Sequence, residues 1–125
     1  MKPSILIVDD QIMLTDFLVY YFSKNYDVVV KKDGQSALLW LEEGNTPNAI
    51  IADINMPKIT GFEFLETIKA NPLFNDIPVI MLSAKDSDED KMEYLKLGAD
   101  DYLTKPFNPE ELELKISSIR KTSKS

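Results

Sequence analysis

Asp9, Asp10 and Asp53 are the residues of this chain whose type and placement could do chemistry. Asp9 and Asp10 follow the apolar run Ile5-Leu6-Ile7-Val8, and Asp53 ends the run Asn48-Ala49-Ile50-Ile51-Ala52. Each run is short, unbroken and rich in β-branched residues, which suits a strand buried on both faces. If the two strands are parallel neighbours, three carboxylates meet at one edge of a sheet. Two unit charges about 4 Å apart, in an effective dielectric near 20, repel by roughly 4 kcal/mol. Such a cluster needs a cation.

Two further groups end later apolar runs. Ser83 closes Pro78-Val79-Ile80-Met81-Leu82, and Lys105 follows Tyr102-Leu103-Thr104. Three carboxylates with sites left over for water and phosphate oxygens suit Mg²⁺ better than zinc. A lysine and a hydroxyl opposite the metal suit the oxygens of a phosphoryl group in transfer. A carboxylate can be the nucleophile in that transfer, giving an aspartyl phosphate.

The elements that must position these groups alternate in period. After the strand Ile5–Val8, residues Leu14, Phe17, Leu18, Tyr21 and Phe22 recur at helical spacing up to about Asn25, with Phe17, Tyr21 and Phe22 read as core. Tyr26 to Val30 is a second strand, followed by a helical stripe of Ala37, Leu38 and Leu41 that Gly44 stops, with Trp40 packing helix against sheet. The third strand ends at Asp53. Thr60-Gly61-Phe62-Glu63 reads as a capping box that opens a helix burying Phe62, Leu65 and Ile68. The fourth strand ends at Ser83. Asp88 to Leu97 is a polar helix in which Met92 and Leu95 are the expected buried residues, and Gly98 closes it. Asn108-Pro109-Glu110-Glu111 caps a last helix that buries Leu112, Ile116 and Ile119. Five strand-then-helix units predict a doubly wound α/β domain with a five-stranded parallel sheet and helices on both faces. Ligands of such sheets bind outside the carboxyl ends of the strands. The domain is expected over residues 1–121, with a polar tail over 122–125.

Composition removes several classes of function. At 125 residues the chain makes one domain. It has no cysteine and no histidine, so thiol catalysis, disulfides, cysteine-ligated zinc, a Ser-His-Asp triad and a phosphohistidine are all excluded. A net charge of −7 argues against direct nucleic-acid binding. No run reaches the roughly 20 apolar residues of a membrane span, and the start Met1-Lys2-Pro3-Ser4 shows no signal-peptide pattern. A cytoplasmic protein is expected.

The layout resembles the receiver domain of two-component response regulators, over essentially the whole chain. Four sets of residues carry the resemblance: Asp9-Asp10, Asp53 through Gly61, Ser83-Ala84 and Lys105-Pro106-Phe107. It implies the flavodoxin-like strand order 2-1-3-4-5, with Asp53 as the phosphoacceptor. Asp10 and Asp53 would contact Mg²⁺ directly, Asp9 largely through water, and the backbone carbonyl of Asn55 would add a ligand. Lys105 would pair with the phosphoryl group, and its bond to Pro106 would be cis. Ser83, where the family often has threonine, would hydrogen-bond the phosphoryl group. Tyr102 matches the aromatic switch that turns inward as that hydroxyl moves.

The donor would be a histidine kinase or a phosphotransfer protein, and the surface of the fourth helix, fifth strand and fifth helix would change to control an output partner. A second resemblance, through Gly98 to Phe107, is to receivers of the winged-helix transcription-factor subclass. Those dimerise through that face by salt bridges. Here Lys91 with Glu111, and Asp101 with Lys115, have compatible charges, whereas Asp100 meets Thr122 in place of an arginine.

Taken singly, these residues have plainer readings: Asp10 as a helix N-cap, Asp53 as a turn residue, Lys105 as a surface charge, Ser83 as a loop hydroxyl, Tyr102 as packing. The competing function is a small aspartate-nucleophile phosphatase of the haloacid-dehalogenase type. That type places a second aspartate two residues after the nucleophile, where this chain has Asn55. A flavodoxin-like electron carrier would need a Ser/Thr/Gly-rich loop where Asp9-Asp10-Gln11 stands.

Overall fold

The computed structural model describes residues 2–123, with side chains through Ile119. Strands and helices alternate in the order β1 (Ser4–Val8), α1 (Ile12–Phe22), β2 (Asp27–Lys31), α2 (Gly34–Glu42), β3 (Ala49–Asp53), α3 (Gly61–Ala70), β4 (Val79–Ser83), α4 (Asp88–Leu97), β5 (Asp101–Thr104) and α5 (Pro109–Ser123). The five strands form one parallel sheet in the order β2-β1-β3-β4-β5. α5 continues through Ser123, beyond the boundary expected at residue 121, and Lys124 and Ser125 lie outside the described residues.

Because strand side chains alternate in direction, the sheet splits the core in two. Leu6, Val8, Ile50, Ala52, Val79, Met81 and Tyr102 pack under α2, α3 and α4. Ile5, Ile7, Ala49, Ile51, Ile80, Leu82 and Leu103 pack under α1 and α5. The central strands β1, β3 and β4 are apolar on both faces and fully covered, which is why their sequences run without alternation.

Local chemistry sets the helix starts. Thr60 and Glu63 form the expected capping box, with Glu63 N–H donating to Thr60 Oγ1 at 3.1 Å and Thr60 N–H to Glu63 Oε1 at 2.9 Å. Asp33 caps α2, Ser87 caps α4, and Asn108 accepts from Glu110 N–H at the start of α5. α1 differs: its N-cap is Gln11, whose side chain makes no cap bond, so Asp10 is not used as a cap. Gly98 ends α4 at φ +124°, a conformation that L side chains rarely adopt.

Several burial expectations change, among them Ile119, which is only partly buried beside the enclosed Leu112 and Ile116. Met92 is 54% exposed, and the buried residue of α4 is Tyr94. This polar helix buries one of its ten residues, and the spacing of Met92 and Leu95 alone does not identify it. Phe17 is 46% exposed and belongs to the outer flank of α1, while Phe22 is fully buried and Tyr21 partly so. Phe62 is partly buried against the core rather than enclosed by it; Trp40 and Leu95 pack in the same manner.

Candidate functional site

Strand register brings the carboxylates together. Val8 lies opposite Ala52, so the next residue of each strand, Asp9 and Asp53, emerge side by side at the carboxyl edge. Asp53 pairs with Leu82 and Ser83 with Thr104, which carries the same edge on to Ser83 and Lys105. Alternation divides these groups by face. Asp9, Asp53 and Lys105 follow Ile7, Ile51 and Leu103 on the α1/α5 side, whereas Ser83 follows Met81 on the side that holds Tyr102.

Asp9 and Asp53 are buried and Asp10 is exposed, and one carboxylate oxygen from each of the three lies within 4.8 Å of the others. Lys105, only 13% exposed, sits over the buried pair. Its ammonium donates to Asp9 Oδ2 at 3.0 Å and to Gln11 Oε1 at 2.9 Å, and stands 3.6 Å from Asp53 Oδ2. The other oxygen of Asp9 accepts Gln11 N–H at 2.9 Å. Asp53 Oδ1 has only a long contact, 3.4 Å, from Asn55 N–H. Burial pushes the Asp53 carboxyl above its ordinary range; Lys105 opposes this and the Asp9 charge adds to it. Asp53 is thus the least satisfied carboxylate of the pair. The Lys105–Pro106 peptide is cis.

The loop from β3 to α3 is held close to the site. Gly61 N–H donates to Ile54 O at 3.0 Å, and a Cβ on Gly61 would stand 2.5 Å from Ile54 Cα and 2.9 Å from Asp53 O. Lys58 takes a left-handed conformation (φ 73°) and pairs with Asp33 at 3.6 Å, tying this loop to the start of α2. Asn55 is exposed at its near end.

Ser83 is fully buried, and its hydroxyl is engaged with the following loop: it accepts Lys85 N–H at 2.9 Å and donates to Lys85 O at 3.1 Å. Tyr102 lies inward, 5% exposed, against Tyr94, and its hydroxyl is buried without a hydrogen-bond partner. The wet hydroxyl of the plain packing reading is therefore not found. Lys91 and Glu111 are exposed on neighbouring helices. Asp101 and Lys115 already pair within the chain at 2.8 Å. Asp100 accepts Val79 N–H at 2.8 Å with Lys69 at 3.9 Å, and the side chain of Thr122 lies outside the described residues. Reading the residues one by one misses the contacts of Gln11, Lys85 and Tyr94. Gln11 and Lys85 each left a signal of position alone, standing next to Asp9-Asp10 and to Ser83-Ala84 at the strand ends.

All-oxygen carboxylate donors at one mouth fit a hard divalent cation such as Mg²⁺. A family model described as the response regulator receiver domain matches residues 5–117. The chain belongs to this family. Receivers are phosphorylation-activated switches of two-component signalling that take their phosphoryl group from histidine kinases. Among similar proteins, the alkaline phosphatase synthesis transcriptional regulatory protein PhoP of Bacillus subtilis (strain 168) is 38% identical over 98% of this chain and 50% of its own length. The phosphate regulon transcriptional regulatory protein PhoB of Escherichia coli (strain K12) is 35% identical over 95% of this chain and 52% of its own length. This receiver thus spans about half the length of the curated relatives it matches. Those relatives are winged-helix regulators rather than classical enzymes.

Among solved structures, the Francisella response regulator 1452 receiver domain superposes with TM-score 0.88 at 37% identity, covering 98% of this chain and 99% of that one. The chemotaxis response regulator CheY4 of Vibrio cholerae gives TM-score 0.88 at 32% identity, covering 95% and 99%. Nothing in these similarities supports the phosphatase alternative. No helix among the described residues is long and apolar enough to cross a membrane.

Proposed function

We propose that Asp53 is the phosphoacceptor of this receiver. The observation that carries the reading is the seat of Lys105 over the buried Asp9 and Asp53, with Asp53 the less well bound of the two. One Asp53 oxygen forms a bond to phosphorus while the P–N bond of a donor phosphohistidine breaks and the imidazole departs. The donor is a partner histidine kinase or phosphotransfer protein, since this chain has no histidine. Asp9, Asp10, Asp53 and the Asn55 backbone carbonyl would hold Mg²⁺. When bound, that ion neutralises charge on the phosphoryl oxygens.

The switch follows from charge. A phosphoryl group on Asp53 adds negative charge and acceptor oxygens, which draw Lys105 and the Ser83 hydroxyl. Ser83 then gives up its bonds to Lys85, freeing the β4–α4 loop, and the α4-β5-α5 surface carries the change to an output partner. The same face, with Lys91, Asp100, Asp101, Glu111 and Lys115, serves a phosphorylation-dependent homodimer, for which Asp101 and Lys115 must exchange their internal pairing for one across the interface. Catalysis is confined to the domain's own phosphoryl transfer and autodephosphorylation, in the cytoplasm. With a charge of −7 it makes no direct nucleic-acid contact.

Incubation with acetyl phosphate and Mg²⁺ tests this reading through intact mass. Wild type should gain one phosphate and Asp53→Ala none. Equal gain by both, or none by either, would sink it.

A further inference from the structure

We infer that Gln11 is a positioning residue that holds Lys105 in its unphosphorylated seat, and so sets how readily the site takes a phosphoryl group. The inference rests on the reading of Asp53 and Lys105 given above. Gln11 is the N-cap of α1 by position, yet its side chain does none of the capping. Its amide oxygen instead accepts from Lys105 Nζ at 2.9 Å, across 94 residues of sequence. Its backbone N–H, a separate group, fixes the Asp9 carboxylate through Oδ1 at 2.9 Å. Asp9 and Gln11 together form a two-oxygen seat on the α1 side of the ammonium, while Asp53 waits outside hydrogen-bond distance at 3.6 Å.

The consequence is a competition. To pair with a phosphoryl group on Asp53, the ammonium must shift its weight away from Asp9 and Gln11. A contact made only in the unphosphorylated arrangement lowers affinity for the phosphoryl group by the factor it contributes to the resting state. Asp9 cannot be tuned freely, because it is also a candidate metal ligand. Gln11 can, since it is exposed and supplies one neutral oxygen. A hydrogen bond to a charged donor at a partly exposed position is enough for about a threefold to tenfold effect.

Titration calorimetry with beryllofluoride and Mg²⁺, a mimic of the phosphorylated aspartate, tests this in wild type and three variants. Gln11→Ala and Gln11→Met, which keep the backbone N–H and remove the oxygen, should both bind about threefold to tenfold more tightly. Gln11→Glu, which strengthens the seat with a charge, should bind more weakly. The metal-free ¹⁵N signal of the Lys105 ammonium gives a second readout: slowed proton exchange in wild type and Gln11→Glu, lost in Gln11→Ala and Gln11→Met. A solvated Gln11 with no positioning role would leave the Ala and Met affinities within twofold of wild type and the ammonium signal unchanged, and that result overturns the inference alone. Wild type failing to bind beryllofluoride at all would overturn the receiver-site reading and this inference with it.

Discussion

The rings of Tyr94 and Tyr102 meet at 5.9 Å between centroids, tilted by 40°, and Phe62 packs edge-on to Tyr94 at 5.6 Å on the other side. α3, α4 and β5 are thereby joined through aromatic side chains beneath the carboxyl edge of the sheet. The stack holds Tyr102 inward although its hydroxyl finds no partner. Burial also drives the Tyr94 phenol up to about 12.

An orphaned buried hydroxyl costs about 1–3 kcal/mol of desolvation, and the ring contacts here offset it. Tyr102→Phe, which keeps the ring and removes the oxygen, should therefore stabilise the domain by about 1 kcal/mol in urea unfolding at unchanged m value. A loss of stability would mean that the hydroxyl has a partner after all.

Asp53 should destabilise the fold at neutral pH when no divalent cation is present. Its folded pKa is raised above the ordinary 3.8, chiefly by burial, so the fold holds the proton more tightly than the unfolded chain does. The stability this contributes is full at low pH and is lost as pH rises through the raised value. Asp53→Asn should then match wild type in acid, and in EDTA at neutral pH melt roughly 2–5 °C higher. Mg²⁺ should narrow the gap by stabilising wild type more. A melting advantage that is constant with pH would contradict the assignment.

Ser83 carries two bonds to Lys85 from a fully buried position. Ser83→Ala should cost about 1–2 kcal/mol in stability, because the Lys85 N–H loses its acceptor. It should also uncouple the α4-β5-α5 face from the site. Amide shifts at Tyr102 and Lys115 on adding beryllofluoride, large in wild type, should shrink in the variant while binding itself persists.

Gly61→Ala should be the most damaging single methyl in the site. Its Cβ would meet the backbone at Ile54 Cα and Asp53 O, where nothing can rotate aside. The expected loss is about 2–4 kcal/mol, read as a lower urea midpoint with weaker Mg²⁺ binding. Gly44→Ala, at a position with open space but φ +101°, is the control: a backbone cost with Mg²⁺ binding intact.

Much of this architecture is legible in the sequence because the central strands are apolar on both faces. Runs such as Ile5–Val8 and Ala49–Ala52 are short, apolar and rich in β-branched residues, which favours a strand buried on both faces, and each is followed by a group with chemistry. Asp9, Asp53, Ser83 and Lys105 were therefore placed at one edge by strand ends alone. What could not be read is where each group's hydrogen bonds go. Gln11 reaching Lys105, and Ser83 turning to Lys85, are decided by tertiary distances of a few ångströms that no spacing encodes. The α4 error has the same root. Met92 and Tyr94 are both apolar enough to be buried, and the aromatic neighbours Phe62 and Tyr102, distant in sequence, select Tyr94.

Whether Asp53 receives the phosphoryl group can be read by chemical trapping. An aspartyl phosphate formed with acetyl phosphate and Mg²⁺ is reduced by borohydride to homoserine, and peptide mass spectrometry then locates it. Homoserine is expected at position 53, dependent on Mg²⁺, with Asp9 and Asp10 unchanged. Homoserine at position 9 or 10, phosphate retained on Ser83, or no trapped product from wild type would contradict Asp53 as the phosphoacceptor.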